Sequence, residues 1–228
     1  MKEIIKINNL GKVYNPDTVP VHAVRDINLS IAEGEFTAIV GPSGSGKSTL
    51  LNLVGGLDVA TTGNVLIGGV DIMQLSENEL INFRLNNIGF VFQAYNLIPV
   101  LSAKENVEFI MLLQKRPKAE IDNRVSELLA AVGLGDRMKS RPTELSGGQQ
   151  QRVAVARALA SKPKFVLADE PTANLDTQSA ESLLDIMERL NAEEGMTFLF
   201  STHDQRVVNR ARRVVNLVDG SIESDIRK

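Results

Sequence analysis

Residues Gly41-Pro-Ser-Gly-Ser-Gly-Lys-Ser48 restrict this chain to few folds, because such a segment works only where a buried strand turns sharply into a helix. Glycines at 41, 44 and 46 let successive backbone N–H groups turn inward around an anion, where a β-carbon would obstruct or strain them. Lys47 supplies a mobile positive charge for phosphate oxygens, and the Ser48 hydroxyl is suited to ligate Mg²⁺. Ser43, Ser45 and Thr49 complete the candidate phosphate-binding set. The flanks agree. Phe36-Thr-Ala-Ile-Val40 reads as a buried strand, and Thr49-Leu-Leu-Asn-Leu-Val54 reads as a helix that aims its N-terminal dipole at the anion.

A second loop, Leu145-Ser-Gly-Gly-Gln149, offers the same chemistry again. Ser146 can cap the helix that follows, while Gly147 and Gly148 leave its first N–H groups bare. Shortly after comes the apolar run Phe165-Val-Leu-Ala168, a strand buried on both faces, with Asp169 and Glu170 at its carboxyl end. One carboxylate there can hold the Mg²⁺ shell opposite Ser48, and the other can orient or polarise an attacking water. The alternative is that the pair merely caps the turn before Pro171; the upstream loop favours the chemical reading. Gln93, after the strand-like Ile88-Gly-Phe-Val-Phe92, and His203, after Met196-Thr-Phe-Leu-Phe-Ser-Thr202, sit at two further strand ends. His22 has no such setting and reads as a surface or packing residue.

Lys+Arg 25 against Asp+Glu 28 gives a net charge of −3, so no basic field points to nucleic acid. The absence of cysteine excludes disulfides and thiolate-bound metals, which suits a reducing compartment. The first residues, Met1-Lys-Glu-Ile-Ile-Lys-Ile-Asn, scatter charge through an apolar pattern, unlike a signal peptide. No apolar stretch approaches the roughly 20 residues of a membrane span. Work at a membrane would need another chain to cross it.

Three regions follow one another without repeats or low-complexity linkers. Ile4 to about Ile31 alternates like an antiparallel sheet leading into the first loop's strand. The middle, roughly Leu75 to Ser140, is mostly helical in pattern, with capping boxes expected at Ser76-Glu-Asn-Glu79 and Ser102-Ala-Lys-Glu105. From Leu145 the order helix, strand, helix, strand implies a mostly parallel sheet with its ligand at the carboxyl ends of the strands. The expected fold is therefore α/β: a P-loop core, an N-terminal antiparallel β subdomain and a helical subdomain at roughly 75–140, all within one domain over residues 1–228.

In this order the motifs resemble those of the nucleotide-binding subunit of an ABC transporter, and they run from Tyr14 to His203. Leu145-Ser-Gly-Gly-Gln149, continuing Gln-Gln-Arg-Val-Ala-Val-Ala-Arg-Ala-Leu159, is similar to the family's signature segment. The resemblance implies a catalytic glutamate at Glu170, a Q-loop glutamine at Gln93 that also reaches the metal, and a switch histidine at His203. It implies a D-loop at Ala173-Asn-Leu-Asp176, with Asp176 at the nucleotide, and an adenine-stacking aromatic at Tyr14. It further implies ATP and Mg²⁺ as ligands and a head-to-tail homodimer in which Ser146, Gly147, Gly148 and Gln149 cover the partner's ATP. A transmembrane permease subunit on a separate chain would hold the pair at the cytoplasmic face of the cell membrane. Gly55-Gly-Leu-Asp58, Asn96-Leu-Ile-Pro99 and the triple glutamine at 149–151 resemble the lipoprotein-releasing and macrolide-export group. The alternative is a mechanical regulator like the cell-division ABC system. Between Gln93 and about Leu113, the residues Tyr95, Leu97, Ile98, Val100, Leu101, Phe109, Ile110, Met111 and Leu112 exceed one helix face. They form either a groove for a partner helix, with Tyr95 and Leu97 in it, or the packed core of the helical region.

Overall fold

A computed structural model describes residues 2–228; Met1, which opens the segment argued above not to be a signal peptide, lies outside them. The chain builds two sheets. Strands β1 (Glu3–Tyr14), β2 (Val21–Ala32), β4 (Thr62–Ile67) and β5 (Val70–Asp71) form an antiparallel sheet of order β2-β1-β4-β5. Strands β3 (Phe36–Val40), β6 (Ile88–Val91), β7 (Phe165–Asp169), β8 (Thr197–Ser201), β9 (Arg213–Val218) and β10 (Ser221–Arg227) form a second sheet of order β10-β9-β3-β8-β7-β6. All its pairings are parallel except β10 on β9.

The strands of the second sheet are apolar on both faces because each face meets a different core. Along β3, Phe36 and Ala38 point one way and Ile39 the other; β7 divides as Val166 and Ala168 against Phe165 and Leu167. This is the period-2 alternation of a pleated strand. One face packs with the antiparallel sheet around helix α1 (Lys47–Val54), whose Leu50, Leu51, Leu53 and Val54 are buried. The other carries α3 (Ala103–Leu113), α4 (Lys118–Ala131), α5 (Gly147–Ala160) and α6 (Thr177–Glu194). On that side Phe36 packs on Phe200 at 4.6 Å and on Phe198 at 5.6 Å between ring centroids. Truncating any of the three to Ala would cost about 3–5 kcal/mol.

Helix starts follow the local chemistry. Ser76 begins α2 (Glu77–Asn87) and Ser102 begins α3, each with a reciprocal capping box to Glu79 or Glu105. A short helix, α7 (Gln205–Arg210), follows β8 and is capped by Asp204. The middle region is less uniform than its pattern suggests, because β6 interrupts the helices to become an edge strand beside β7. Every parallel strand ends at the same side of the sheet, and the loops that follow β3, β6, β7 and β8 gather there.

Candidate functional site

Strand β3 stops at Val40, and the chain turns through residues 41–46 into α1. Gly46 caps the helix at φ 99°, a left-handed position, and a Cβ there would stand 2.1 Å from the Ala23 carbonyl oxygen of β2. Only glycine fits. Gly44, at φ 80°, instead has nothing within 4 Å of where a Cβ would lie and faces open space. The Lys47 ammonium folds back over the loop, donating to the carbonyls of Gly41 at 2.9 Å and Pro42 at 2.8 Å. The Ser45 hydroxyl is buried without a hydrogen-bond partner among the described residues.

At the end of β7 the Ser48 hydroxyl donates to an Asp169 carboxylate oxygen at 3.0 Å. Hydroxyl and carboxylate oxygens are the hard donors Mg²⁺ takes, and that ion characteristically uses one or two protein oxygens together with phosphate. Among the described residues no three His, Cys, Asp or Glu side chains cluster to hold a metal by themselves, which fits that shared mode. Glu170 adopts φ 46°, a left-handed conformation that costs a non-glycine residue about 1–3 kcal/mol. Its N–H donates to the Ser201 carbonyl at 2.8 Å, which fixes the bend. The carboxylate accepts from the Thr202 hydroxyl at 3.2 Å and meets His203 Nδ1 at 2.7 Å. Glu170 is largely shielded, whereas the His203 ring is 74% exposed, so the pair presents an acid backed by protein and an imidazole open to a ligand.

Most of these groups share one cleft of about 580 Å³, lined by Gly41 to Gly44, Gly46 to Thr49, Gln93, Glu170 and His203; Ser45 and Asp169 lie outside its lining, Asp169 touching it through Ser48. Val21, His22 and Ala23 form its other wall. His22 is thus exposed at the mouth of the site rather than apart from it. Its sequence neighbours gave no sign of this, since only the β1–β2 hairpin brings it there.

Tyr14, Asp176 and the Ser146 to Gln149 segment do not line that cleft. Tyr14 is held nearby by a small polar network. Its hydroxyl donates to Asp58 at 2.6 Å, Lys12 pairs with the same carboxylate at 2.7 Å, and the Lys12 ammonium lies 4.8 Å from the Tyr14 ring centroid. Burial, then the bond to Asp58, raises the Tyr14 phenol above its ordinary pKa. Burial acts to raise Asp58 as well, but the hydrogen bonds from Lys12 and Tyr14 hold it below the usual carboxylate value. Asp58 belongs to Gly55-Gly-Leu-Asp58, noticed in the sequence without a role.

The second loop is a helix start built as expected. Ser146 accepts from Gln149 N–H at 3.3 Å, and the Gln149 side chain accepts from Ser146 N–H at 2.9 Å. Both glycines sit close against neighbouring side chains. A Cβ at Gly147 would stand 2.7 Å from the Tyr95 hydroxyl oxygen, and one at Gly148 2.7 Å from Ser179 Oγ. Ser179 sits in the first turn of α6, which Asp176 caps at 3.0 Å. Asn174 in turn donates to the Gln93 carbonyl at 3.0 Å. The second loop and the segment after Glu170 are therefore packed against the Gln93 segment, and of this junction only Gln93 lines the phosphate cleft. The sequence showed their motifs but not this junction.

A separate apolar groove of about 370 Å³ runs between α2, α3 and β6, lined by Leu85, Ile88, Phe90, Phe92, Ile98, Phe109 and Ile110, with Arg84 and Arg157 at its rim. Tyr95 and Leu97 are not in it: Tyr95 turns toward Asn174 and the second loop, and Leu97 packs on the core. Met111 is core outright, whereas Val100 and Leu112 are exposed outside the groove, so the apolar excess of this region divides among groove, core and solvent.

Comparison with known proteins places this geometry. A family model described as ABC transporter matches residues 24–173. An uncharacterized ABC transporter ATP-binding protein of Thermotoga maritima is 47% identical over 228 residues, 100% of this chain and 97% of its own. The lipoprotein-releasing system ATP-binding protein LolD 1 of Rhodopseudomonas palustris is 48% identical over 224 residues, 97% of this chain and 99% of its own. Among solved structures, the ATP-binding cassette MJ0796, in a dimeric post-hydrolysis state bound to ADP and Pi, superposes with a TM-score of 0.90 at 42% identity, covering 98% of each chain. With its phosphate cradle at the carboxyl ends of a mostly parallel sheet and its second loop directed elsewhere, this chain belongs to the ABC transporter family, as one of its ATP-binding and ATP-hydrolysing subunits.

Proposed function

We propose that two copies of this chain close head to tail around two ATP molecules and drive a separate transmembrane permease subunit at the cytoplasmic face of the cell membrane. One observation carries the reading: the first loop, Gln93, Glu170 and His203 share a cleft that the Ser146 to Gln149 segment and Asp176 do not reach. The second loop, turned away from its own chain's cleft, lies in this reading over the nucleotide of a second chain, and MJ0796 supports this as a dimeric cassette. No helix among the described residues is long and apolar enough to cross a membrane, so the membrane part falls to another chain.

Each residue then has a task. The backbone N–H groups of Ser43, Gly44 and Gly46, with Lys47, bind the β- and γ-phosphates. Ser48 and Asp169, with Gln93, would hold Mg²⁺, which would supply positive charge against the phosphates. Glu170 orients and polarises the attacking water, while His203 hydrogen-bonds the γ-phosphate and keeps Glu170 in line. Tyr14 stacks on the base, and Ser146, Gly147, Gly148, Gln149 and Asp176 meet the nucleotide of the partner. We read residues 1–228 as one cassette with a helical subdomain at about 75–140. The membrane subunit is of the lipoprotein-release or macrolide-export type, a reading that LolD 1 supports through 48% identity.

Glu170→Gln tests the assignment, because it keeps shape and removes charge. Hydrolysis is expected to fall by about 100-fold or more while ATP stays bound and light scattering reports a dimer only with ATP. A fully active, strictly monomeric variant refutes both the role of Glu170 and the shared site.

A further inference from the structure

The ladder between β6 and β7 ends at the pair Val91 and Ala168. Beyond it the two chains part: β7 continues along β8 to Asp169 and Glu170, while the other chain runs on through Phe92 to Gln93. Two side chains span the gap: Asn174 at its exposed side, donating to the Gln93 carbonyl at 3.0 Å, and Gln151 in its buried interior. Gln151, on the second turn of α5 and fully buried, donates from one amide nitrogen to the Pro171 carbonyl at 2.9 Å and to the Phe92 carbonyl at 3.3 Å. Those carbonyls belong to the residues immediately after Glu170 and immediately before Gln93. The amide oxygen is buried without a partner among the described residues, and rotating the amide would aim it at two acceptors, so the orientation is set by the two carbonyls. An unsatisfied buried acceptor is a net cost to folding that an apolar residue of the same length would avoid.

We infer that Gln151 is a positioning residue for ATP hydrolysis: it fixes the spacing between the Gln93 segment and the Glu170 segment where the sheet no longer does. This rests on the reading of Glu170 and Gln93 as groups that handle water and metal. Because Gln151 lies one turn from the capping box at Ser146, the same amide ties that spacing to the orientation of the loop directed at the partner. Gln151 touches no ligand itself. Its effect therefore falls on turnover rather than on nucleotide affinity.

Gln151→Met keeps length and volume but removes the donor. The expected result is a kcat lowered about 10- to 100-fold, the range over which small misplacements act, with the ATP dissociation constant within about 2-fold and one nucleotide still bound per chain. Gln151→Glu provides the second variant: its buried carboxyl donates only when protonated, so its kcat relative to the parent rises as pH falls from about 8 to about 6, at constant binding stoichiometry. Glu170→Gln is run alongside. If Glu170→Gln is inactive while Gln151→Met turns over normally, or loses turnover only in proportion to lost nucleotide binding, the positioning role is overturned and the reading of the site stands. If Glu170→Gln stays active, the reading falls and the positioning role falls with it.

Discussion

At the scale of single residues, side chains that never enter the phosphate cleft shape it. Tyr14 shows how. Its ring is fixed by a bond to Asp58 and by Lys12 against it, so the surface we propose for stacking is held in place without a nucleotide. Base stacking is worth about 1–3 kcal/mol, so Tyr14→Ala should weaken ATP binding about 10-fold or more. Tyr14→Phe keeps the ring and loses the anchor; it should raise KM only about 3-fold, with kcat unchanged, as measured by steady-state hydrolysis. Equal effects of the two changes would mean the hydroxyl, not the ring, meets the nucleotide. Lys47 stands at the other extreme. Its ammonium already bonds two loop carbonyls, so on losing it Lys47→Ala should both weaken ATP binding and abolish turnover.

At the scale of elements, the catalytic strand ends are locked to each other by the segments that follow them. The Thr172 hydroxyl, just past Glu170, donates to Asp204 at 2.6 Å, and Arg206 grips the same carboxylate at 2.7 Å. The Arg206 hydrogen bonds outweigh desolvation, and with Thr172 they hold Asp204 down at about 2. A carboxyl depressed in the folded state stabilises the protein above its unfolded value of about 3.9, and that contribution fades as pH falls toward about 2. Urea midpoints followed from about pH 5 to about pH 2.5 should therefore drop, and Asp204→Asn should flatten that drop. The cap at Ser146 gives a second test. Ser146→Arg should leave ATP binding by the separate chain intact yet prevent ATP-dependent dimerisation, read by light scattering; lost binding would place this loop in its own chain's site.

These elements also show what the sequence made legible. Strands β3, β7 and β8 stood out because both faces are buried and each runs into a polar or glycine-rich loop; the boxes at Ser76 and Ser102 and the cap at Ser146 stood out because capping is local chemistry. What stayed hidden depends on pairs far apart in the chain. Tyr14 and Asp58 meet across 44 residues, Thr172 and Asp204 across 32, Gln151 and Phe92 across 59. No periodicity records such contacts. His22 looked idle for the same reason, since the hairpin that delivers it to the cleft is tertiary structure.

At the scale of the whole molecule, the groove and the phosphate cleft share one strand. Phe90 and Phe92 stack at 5.7 Å on the groove wall, and Gln93 follows at once into the cleft. A helix of the membrane subunit seated in the groove would press on Phe92, and so on the segment that Gln151 and Asn174 hold in place. Phe109 is the test position: it lies on α3, 38% exposed, and lines the groove but not the cleft. Placing a carboxylate there leaves a charge without a partner wherever an apolar helix docks, a cost of several kcal/mol to association and little to the free chain. Phe109→Asp should thus keep basal ATPase activity within about 2-fold, as exposed substitutions do, while removing the chain from membranes that contain its permease. Tyr95→Asn, outside the groove, should leave that association intact. If Phe109→Asp still copurifies with the membrane fraction at the parental ratio, the permease docks elsewhere; if Tyr95→Asn alone loses it, the contact lies at the junction with the second loop instead.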